Sequence, residues 1–381
     1  MEFNTKLIHG GTSMDETTGG MSVPIHMATT FQQKKIGQSK YDYSRSANPT
    51  REAVEELIAD LEGGAAGLAF ASGSAAINTI FSLFSAGDHF VVGNDVYGGT
   101  FRLIDSVLKR LGLTFTVVDT RDLTAVKQAI TPKTKAIYLE TPTNPLLRVT
   151  DVKAVTEIAH ENNLLSIIDN TFSSPYIQRP IEFDVDIVIH SASKYLGGHS
   201  DVIAGLVVTK DAQLAEELRF LQNAIGAILS PHDSWLLQRG MKTLGLRMRA
   251  HLQNADAVFD YLSKQEMVEK IYYPGDPENE DFTIAKKQMN GFGAMISFEL
   301  QEGLDPSAFV EQLQVITLAE SLGAVESLIE IPALMTHGSI PRATRIANGI
   351  KDELIRLSVG VEDPKDLLAD LEQSFNHLKG K

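Results

Sequence analysis

The sequence predicts an α/β protein, with a large domain on a mainly parallel seven-stranded sheet and a smaller α+β C-terminal domain. Three observations predict it. Seven short apolar runs, GLAFA, HFVVG, TFTVV, AIYLE, LLSIID, DIVIHS and AGLVVT, succeed one another, and such runs suit strands covered on both faces. Helical patterns lie between several of them, namely AAINTIFSLFSA, FRLIDSVLKRLG and VKAVTEIAHENN, and strand-helix alternation is the signature of a parallel sheet. Beyond residue 238 the pattern changes in kind, with fewer strands, among them GAMISFEL and LIRLSVG.

At 381 residues the chain is long for one domain. Residues 1–45, rich in Gly, Thr and Ser with little periodicity, read as an arm that needs another surface to order it. Residues 46–238 read as the large domain, opened by REAVEELIADLEGG with its helical spacing and glycine stop. Residues 239–381 read as the second domain. A long amphipathic pattern, LLQRGMKTLGLRMRAHLQNADAVFDYLSK, leads into it, and DPKDLLADLEQSFNHL closes it with Pro364 at a first helical position.

The 34 basic against 49 acidic side chains leave a net charge of -15, which favours solubility and disfavours nucleic-acid or anionic-membrane partners. No cysteine is present, which removes disulfides and thiolate metal sites and fits a reducing cytoplasm. No metal site is expected. The N-terminal residues lack a basic-then-apolar leader pattern, and no stretch approaches the roughly 20 apolar residues that span a bilayer. Neither GxxxxGK[ST] nor GxGxxG occurs, so two common nucleotide-binding readings have no support.

In a sheet of this type ligands bind beyond the carboxyl ends of the strands, so the polar residues just after each run carry the functional question. After GLAFA, Ser72, Gly73 and Ser74 open a helix whose free N–H groups and dipole suit a phosphate. AIYLE is followed by TPTNP with Asn144, and LLSII by DNTF with Asp169 and Thr171. DIVIH leads into SASK, with Ser191, Ser193 and Lys194. Each motif has an ordinary alternative: packing at a helix start, a rigid turn, a helix cap, a solvated lysine. One cofactor would use all four. Pyridoxal 5'-phosphate carries an aldehyde, a phosphate and a ring nitrogen, which need an amine, a cluster of N–H and O–H donors, and a carboxylate. Lys194 supplies the amine, Ser191 and Ser193 join the helix end around the phosphate, and Asp169 keeps the ring nitrogen protonated. Tyr97 of NDVYGGT covers the ring by offset stacking.

From about residue 5 to the C-terminus the sequence resembles the Cys/Met-metabolism family of pyridoxal-phosphate enzymes. The resemblance rests on YDYSRSANPTR, FASGSAA, DVYGGT, ETPTNP, DNTF, HSASKYLGGHSDV, LSPHDSWLLQRGMKTL, AESLG and LIRLSVGVED, in the family's order. It implies the fold type I transferase-like architecture of such enzymes and a homotetramer, a dimer of active dimers. It also implies that Lys194 binds the cofactor's aldehyde and that Tyr43 and Arg45 reach the cofactor phosphate of a neighbouring subunit. Arg356 of LIRLSVG would clamp the substrate α-carboxylate with a bidentate fork, assisted by Ser321, and Asn144 would stand by the cofactor's phenolic oxygen. Lys194 and Tyr43 would move protons, with Tyr97 as a third catalytic residue.

Asp42 and Glu320 match acidic residues associated, in the family's γ-lyases and γ-synthases, with the distal amino group of cystathionine. The resemblance therefore implies γ-elimination on L-cystathionine, giving cysteine, 2-oxobutyrate and ammonia. The alternative is γ-replacement of an O-acylhomoserine with cysteine. Methionine γ-lyases are disfavoured by the two acids and by Gly99, where those enzymes carry cysteine. Glu320 disfavours the β-lyases, whose better-known branch carries an aromatic residue there. His232 and the acidic segment 276–293 depart from the family's pattern.

Overall fold

The computed structural model describes residues 1–11, 15, 17–338 and 340–379. Seven strands form the first sheet: β1 Ala66–Phe70, β2 His89–Gly93, β3 Thr114–Val118, β4 Thr134–Glu140, β5 Leu165–Asp169, β6 Ile187–Ser191 and β7 Gly205–Thr209. Their spatial order is β1-β7-β6-β5-β4-β2-β3. From β3 to β6 the strands are parallel, while β7 lies antiparallel between β6 and β1. The reason is local. Residues 192–204, which join β6 to β7, contain no helix to carry the chain across the sheet, so β7 returns in the opposite direction.

Strand pleating sends successive side chains to opposite faces, and two apolar cores result. Ile137, Leu139, Ile168, Val188 and Val208 pack on one face with Val54, Leu57, Ile58 and Leu61 of the helix Pro49–Glu62. Tyr138, Ile167, Ile187, Ile189 and Val207 pack on the other with Ile77, Ile80 and Phe81 of the helix Gly73–Phe81. By the same parity Glu140, Asp169 and Ser191, which end β4, β5 and β6, emerge on the face of that second helix. The edge strand β3 leaves much of its surface to solvent.

The second sheet holds β8 Val268–Tyr272, β9 Met295–Leu300, β10 Thr317–Leu318, β11 Leu328–Glu330 and β12 Leu354–Ser358, in the order β10-β11-β12-β9-β8. Only β9 and β12 are legible in the sequence; β10 has two residues, β11 three, and β8 carries the exposed Glu269 and Lys270. The closing helix is Pro364–Lys379.

Three local features go beyond the sequence pattern. The long amphipathic pattern is two helices, Pro231–Met241 and Leu244–Leu262, interrupted at Lys242 and Thr243. The first seven-residue stretch of the arm, Phe3–His9, is a helix on its own chain, with Leu7 buried and Phe3 edge-on to Tyr176 at 5.7 Å between ring centroids. The acidic segment 276–293 is a clasp. Asp281 accepts the Val149 N–H at 2.9 Å, Gln288 donates to the Thr150 carbonyl at 2.9 Å, and Asn290 donates to the Ile177 carbonyl at 2.7 Å. Arg121 pairs with Glu280 from the other side. No helix among the described residues is long and apolar enough to cross a membrane.

Candidate active site

The loop after β6 presents Lys194, and its course is held from behind. Arg247, buried in the helix Leu244–Leu262, donates to the carbonyls of Tyr195 at 2.7 Å, Leu196 at 3.4 Å and Gly240 at 3.0 Å. Gly198, at φ +71°, sits against that guanidinium: a Cβ there would meet Nη1 at 2.0 Å. Glycine is required on both counts. Ser193 steadies the loop as well, since its hydroxyl accepts the Ala204 N–H at 3.0 Å.

Lys194 Nζ donates to Ser321 Oγ at 2.7 Å. Burial of the ammonium, and after it the positive charge of Arg356, brings the lysine down from 10.5 to about 8, against an upward pull from Glu330 and Glu320. Ser321 holds φ at +91°, an uncommon conformation for a residue with a side chain, and its carbonyl accepts from Arg356 Nη2 at 2.8 Å. Arg356 Nη1 donates to Asn144 Oδ1 at 2.9 Å. Its Nε–H is buried without a partner. One continuous chain of contacts thus joins Lys194, Ser321, Arg356 and Asn144, from four separate parts of the sequence.

A second chain joins the sheet ends. Asp169 Oδ1 accepts both the N–H and the hydroxyl of Thr171, and that same hydroxyl oxygen accepts the Ser191 N–H at 2.8 Å. Burial raises the Asp169 carboxyl, and the two Thr171 bonds partly offset this. Ser191 in turn abuts the start of the helix Gly73–Phe81, where a Cβ on Gly73 would come within 3.1 Å of the Ser191 Cβ. Ser72 caps that helix by accepting the Ala75 N–H at 3.0 Å, which leaves the N–H groups of Gly73 and Ser74 without intrahelical partners.

Tyr97 is half-exposed, and its backbone N–H donates to Glu140 Oε2 at 2.8 Å. Glu140 stands in register with Asp169 on the neighbouring strand. Burial, and then the neighbouring Asp169 charge, pushes the Glu140 carboxyl well above the usual range. Gly99 is tied to Tyr97 rather than to the sheet, because a Cβ at Gly99 would lie 2.3 Å from the Tyr97 ring.

The three arm residues make their contacts elsewhere in the chain. Arg45 donates to the Asn223 carbonyl at 2.6 Å and lies 5.5 Å from the Tyr43 ring centroid, and Asp42 accepts from Gln33 at 2.6 Å. Glu320 is exposed, next in the chain to Ser321. His232 is a solvated residue in the first turn of the helix Pro231–Met241.

Four residues that sequence reasoning passed over belong to this neighbourhood. Arg247 reads as one basic residue in an amphipathic helix. Glu140 was legible as the last residue of a strand run, the position that singled out Asp169. Glu62 reads as a helix-end acid but is buried, with Oε1 2.6 Å from His190 Nε2 and 3.2 Å from Asn170 Nδ2, beneath the ends of β5 and β6. Glu330, an acid inside the apolar run SLIEIPAL, pairs with Arg356 at 3.0 Å.

This set fits pyridoxal 5'-phosphate. The Gly73 and Ser74 N–H groups beside Ser191 suit its phosphate, the Lys194 amine its aldehyde, and Asp169, whose two Thr171 bonds both fall on Oδ1, has Oδ2 for a protonated ring nitrogen. A Cβ on Gly205 would lie 2.2 Å from the Ser72 carbonyl, so glycine there is what lets the helix start close onto β7. Fold and site define a pyridoxal-phosphate enzyme of the α/β type. The chain belongs to the Cys/Met metabolism PLP-dependent enzyme family, which matches residues 4–376.

The relatives carry more than one name. A protein named cystathionine beta-lyase, from Lactococcus lactis subsp. cremoris, is 58% identical over 372 residues, covering 97% of this chain and 98% of its own. One named cystathionine gamma-lyase, from Bacillus subtilis, is 53% identical over 379 residues, covering 99% and 100%. The crystal structure of cystathionine gamma-lyase from Lactobacillus plantarum complexed with L-serine is 72% identical, covers 100% of both chains and has a TM-score of 0.98.

Proposed function

We propose that this enzyme catalyses γ-elimination on L-cystathionine, taking up water and releasing cysteine, 2-oxobutyrate and ammonia, in the cytoplasm. The observation that carries the reading is the placement of Glu320. Its exposed carboxylate adjoins Ser321, the residue that bonds both Lys194 and Arg356. An amino acid with its carboxylate on Arg356 and its amine toward Lys194 would extend its far ammonium into reach of that charge. The gamma-lyase names of the Bacillus subtilis and Lactobacillus plantarum relatives support it.

When bound, pyridoxal 5'-phosphate supplies an electron sink for the pair left at Cα. The chain's own residues do the rest. Gly73, Ser74, Ser72, Ser191 and Ser193 hold the phosphate end, Asp169 with Thr171 keeps the ring nitrogen protonated, and Tyr97 stacks on the ring. Arg356, Asn144 and Ser321 fix the α-carboxylate. Lys194 accepts the Cα proton, a task for which an amine titrating near neutral pH is matched. Tyr43 and Lys194 then serve as the acid and base at Cβ and Cγ. We place Tyr43, Arg45 and Asp42 in the site of a neighbouring subunit, within a homotetramer. Half-exposure of Tyr43, with Arg45 over its ring, supports that assignment.

The same residues serve γ-replacement, so joining an O-acylhomoserine to cysteine is the second reading. The test incubates the purified enzyme with L-cystathionine in one vessel and with O-acetyl- or O-succinylhomoserine plus cysteine in another. Cysteine and 2-oxobutyrate as the faster products support γ-elimination. Faster formation of cystathionine reverses the order of the two readings, and homocysteine with pyruvate replaces both with β-elimination, the activity named for the Lactococcus lactis relative. Glu320→Ala should raise KM for cystathionine about 10-fold or more, the size of one charge-assisted contact, while sparing homoserine. Equal losses on both substrates would remove Glu320 from recognition of the far end.

A further inference from the structure

Arg356 is buried together with a charge of its own chain. Glu330 stands directly opposite it in the antiparallel pairing of β11 and β12, and Oε1 lies 3.0 Å from Arg356 Nη1, with the two side chains only 0% and 3% exposed. Thr336 donates its hydroxyl to the same Oε1 at 2.8 Å and meets His337 Nδ1 at 2.9 Å. Burial keeps His337 neutral, bringing it down to about 4. The other carboxylate oxygen, Oε2, is buried with no partner, as is Arg356 Nε.

We propose that Glu330 is a counter-carboxylate built into the site, which holds the Arg356 guanidinium before substrate arrives and weakens the binding of the substrate's own carboxylate. The proposal rests on the reading of Arg356 as the carboxylate clamp. A ligand carboxylate brought to the guanidinium makes, with Glu330, a buried group of one cation and two anions, and an excess buried charge is costly. Glu330 therefore opposes the ligand through the cation they share. Affinity for bare carboxylates stays modest, and a ligand must also bring an amine that would take the place of Lys194 at the cofactor's aldehyde. The orphaned Oε2 fits this role, because a residue present only to brace Arg356 gains nothing from a second, unbonded anionic oxygen in the interior.

Glu330→Gln keeps the shape and an acceptor for both Arg356 and Thr336, and removes the charge. In the holoenzyme its dissociation constant for L-serine, read from the visible absorption of the bound cofactor during titration, should fall about tenfold, the scale of one charge acting across a guanidinium at a protein-like dielectric. Ethanolamine, the same molecule without its carboxylate, should give the same titration in both proteins. Thr336→Val, which removes the donor that favours the ionised carboxylate, should tighten L-serine in the same direction by less, and it tests the idea should the Gln variant not fold. L-serine bound as before or more weakly by these variants overturns the proposal, as does an equal change for ethanolamine. Arg356→Ala separates the two layers. If it abolishes the preference for L-serine over ethanolamine while Glu330→Gln tightens nothing, only the role of Glu330 fails; if the preference survives, the reading of Arg356 fails first.

Discussion

Lys194 should titrate near pH 8 in cofactor-free protein, and two substitutions should move that point in opposite directions. At pH 7 an amine titrating at about 8 is neutral in about one molecule in ten, against about one in three thousand at 10.5, so the structure makes Lys194 about 300-fold more available as a base. The assay treats cofactor-free protein with limiting acetylating reagent across a pH series and measures acetylation of the Lys194 peptide by mass spectrometry. The rate should inflect near pH 8. Arg356→Leu removes a charge that lowers the lysine and should raise the inflection; Glu320→Gln removes one that raises it and should lower the inflection. Stability carries the same signature. Between pH 8 and 10.5 the unfolded chain binds more protons than the folded one at this residue, so wild-type stability rises with pH through that window. Lys194→Met should therefore stabilise cofactor-free protein by about 3 kcal/mol below pH 8, a gain that fades by pH 10.5. A wild-type inflection at pH 10 or above, or two variants that shift the same way, would refute the reasoning.

Asp169→Asn should loosen the cofactor and slow proton abstraction at Cα, since an amide does not keep a ring nitrogen protonated; an unchanged single-turnover rate would make Asp169 a turn residue. Gly99→Ala places a Cβ 2.3 Å from the Tyr97 ring and must displace it, so cofactor dissociation should quicken about fivefold with the loss of about 1 kcal/mol of stacking. A wild-type dissociation rate would show that Tyr97 does not cover the ring. Arg247→Met strips donors from the carbonyls of Tyr195, Leu196 and Gly240, each worth about 1–3 kcal/mol when left buried and unpaired. Its melting temperature and cofactor retention should both fall, and loss of neither would mean the loop needs no clamp.

The amino-acid sequence alone specifies the seven strands of the large sheet, several of the helices that cover it, and the family, whereas the helices Leu123–Ala129 and Ala212–Ile225 emerge only in the structure. Strands buried on both faces are mostly apolar, as IVIHS and HFVVG are apart from their terminal polar residues, and that leaves a signal independent of partners. It also determined which strand ends carry Asp169, Ser191 and Lys194, because polar residues that close such runs stand out. What it did not determine depends on register and direction. Strand β7 turns antiparallel because of what its connection lacks. Glu140, Asp169 and Ser191 share a face because their strands pair in one register, which no strand's own sequence contains. Glu320 stood out in the sequence and Glu330 did not, yet the first is exposed beside Ser321 and the second is fully buried against Arg356. Only the pairing of β11 with β12 separates them, since the partner that makes a buried carboxylate tolerable lies 26 residues further along the chain and reaches it through the fold alone.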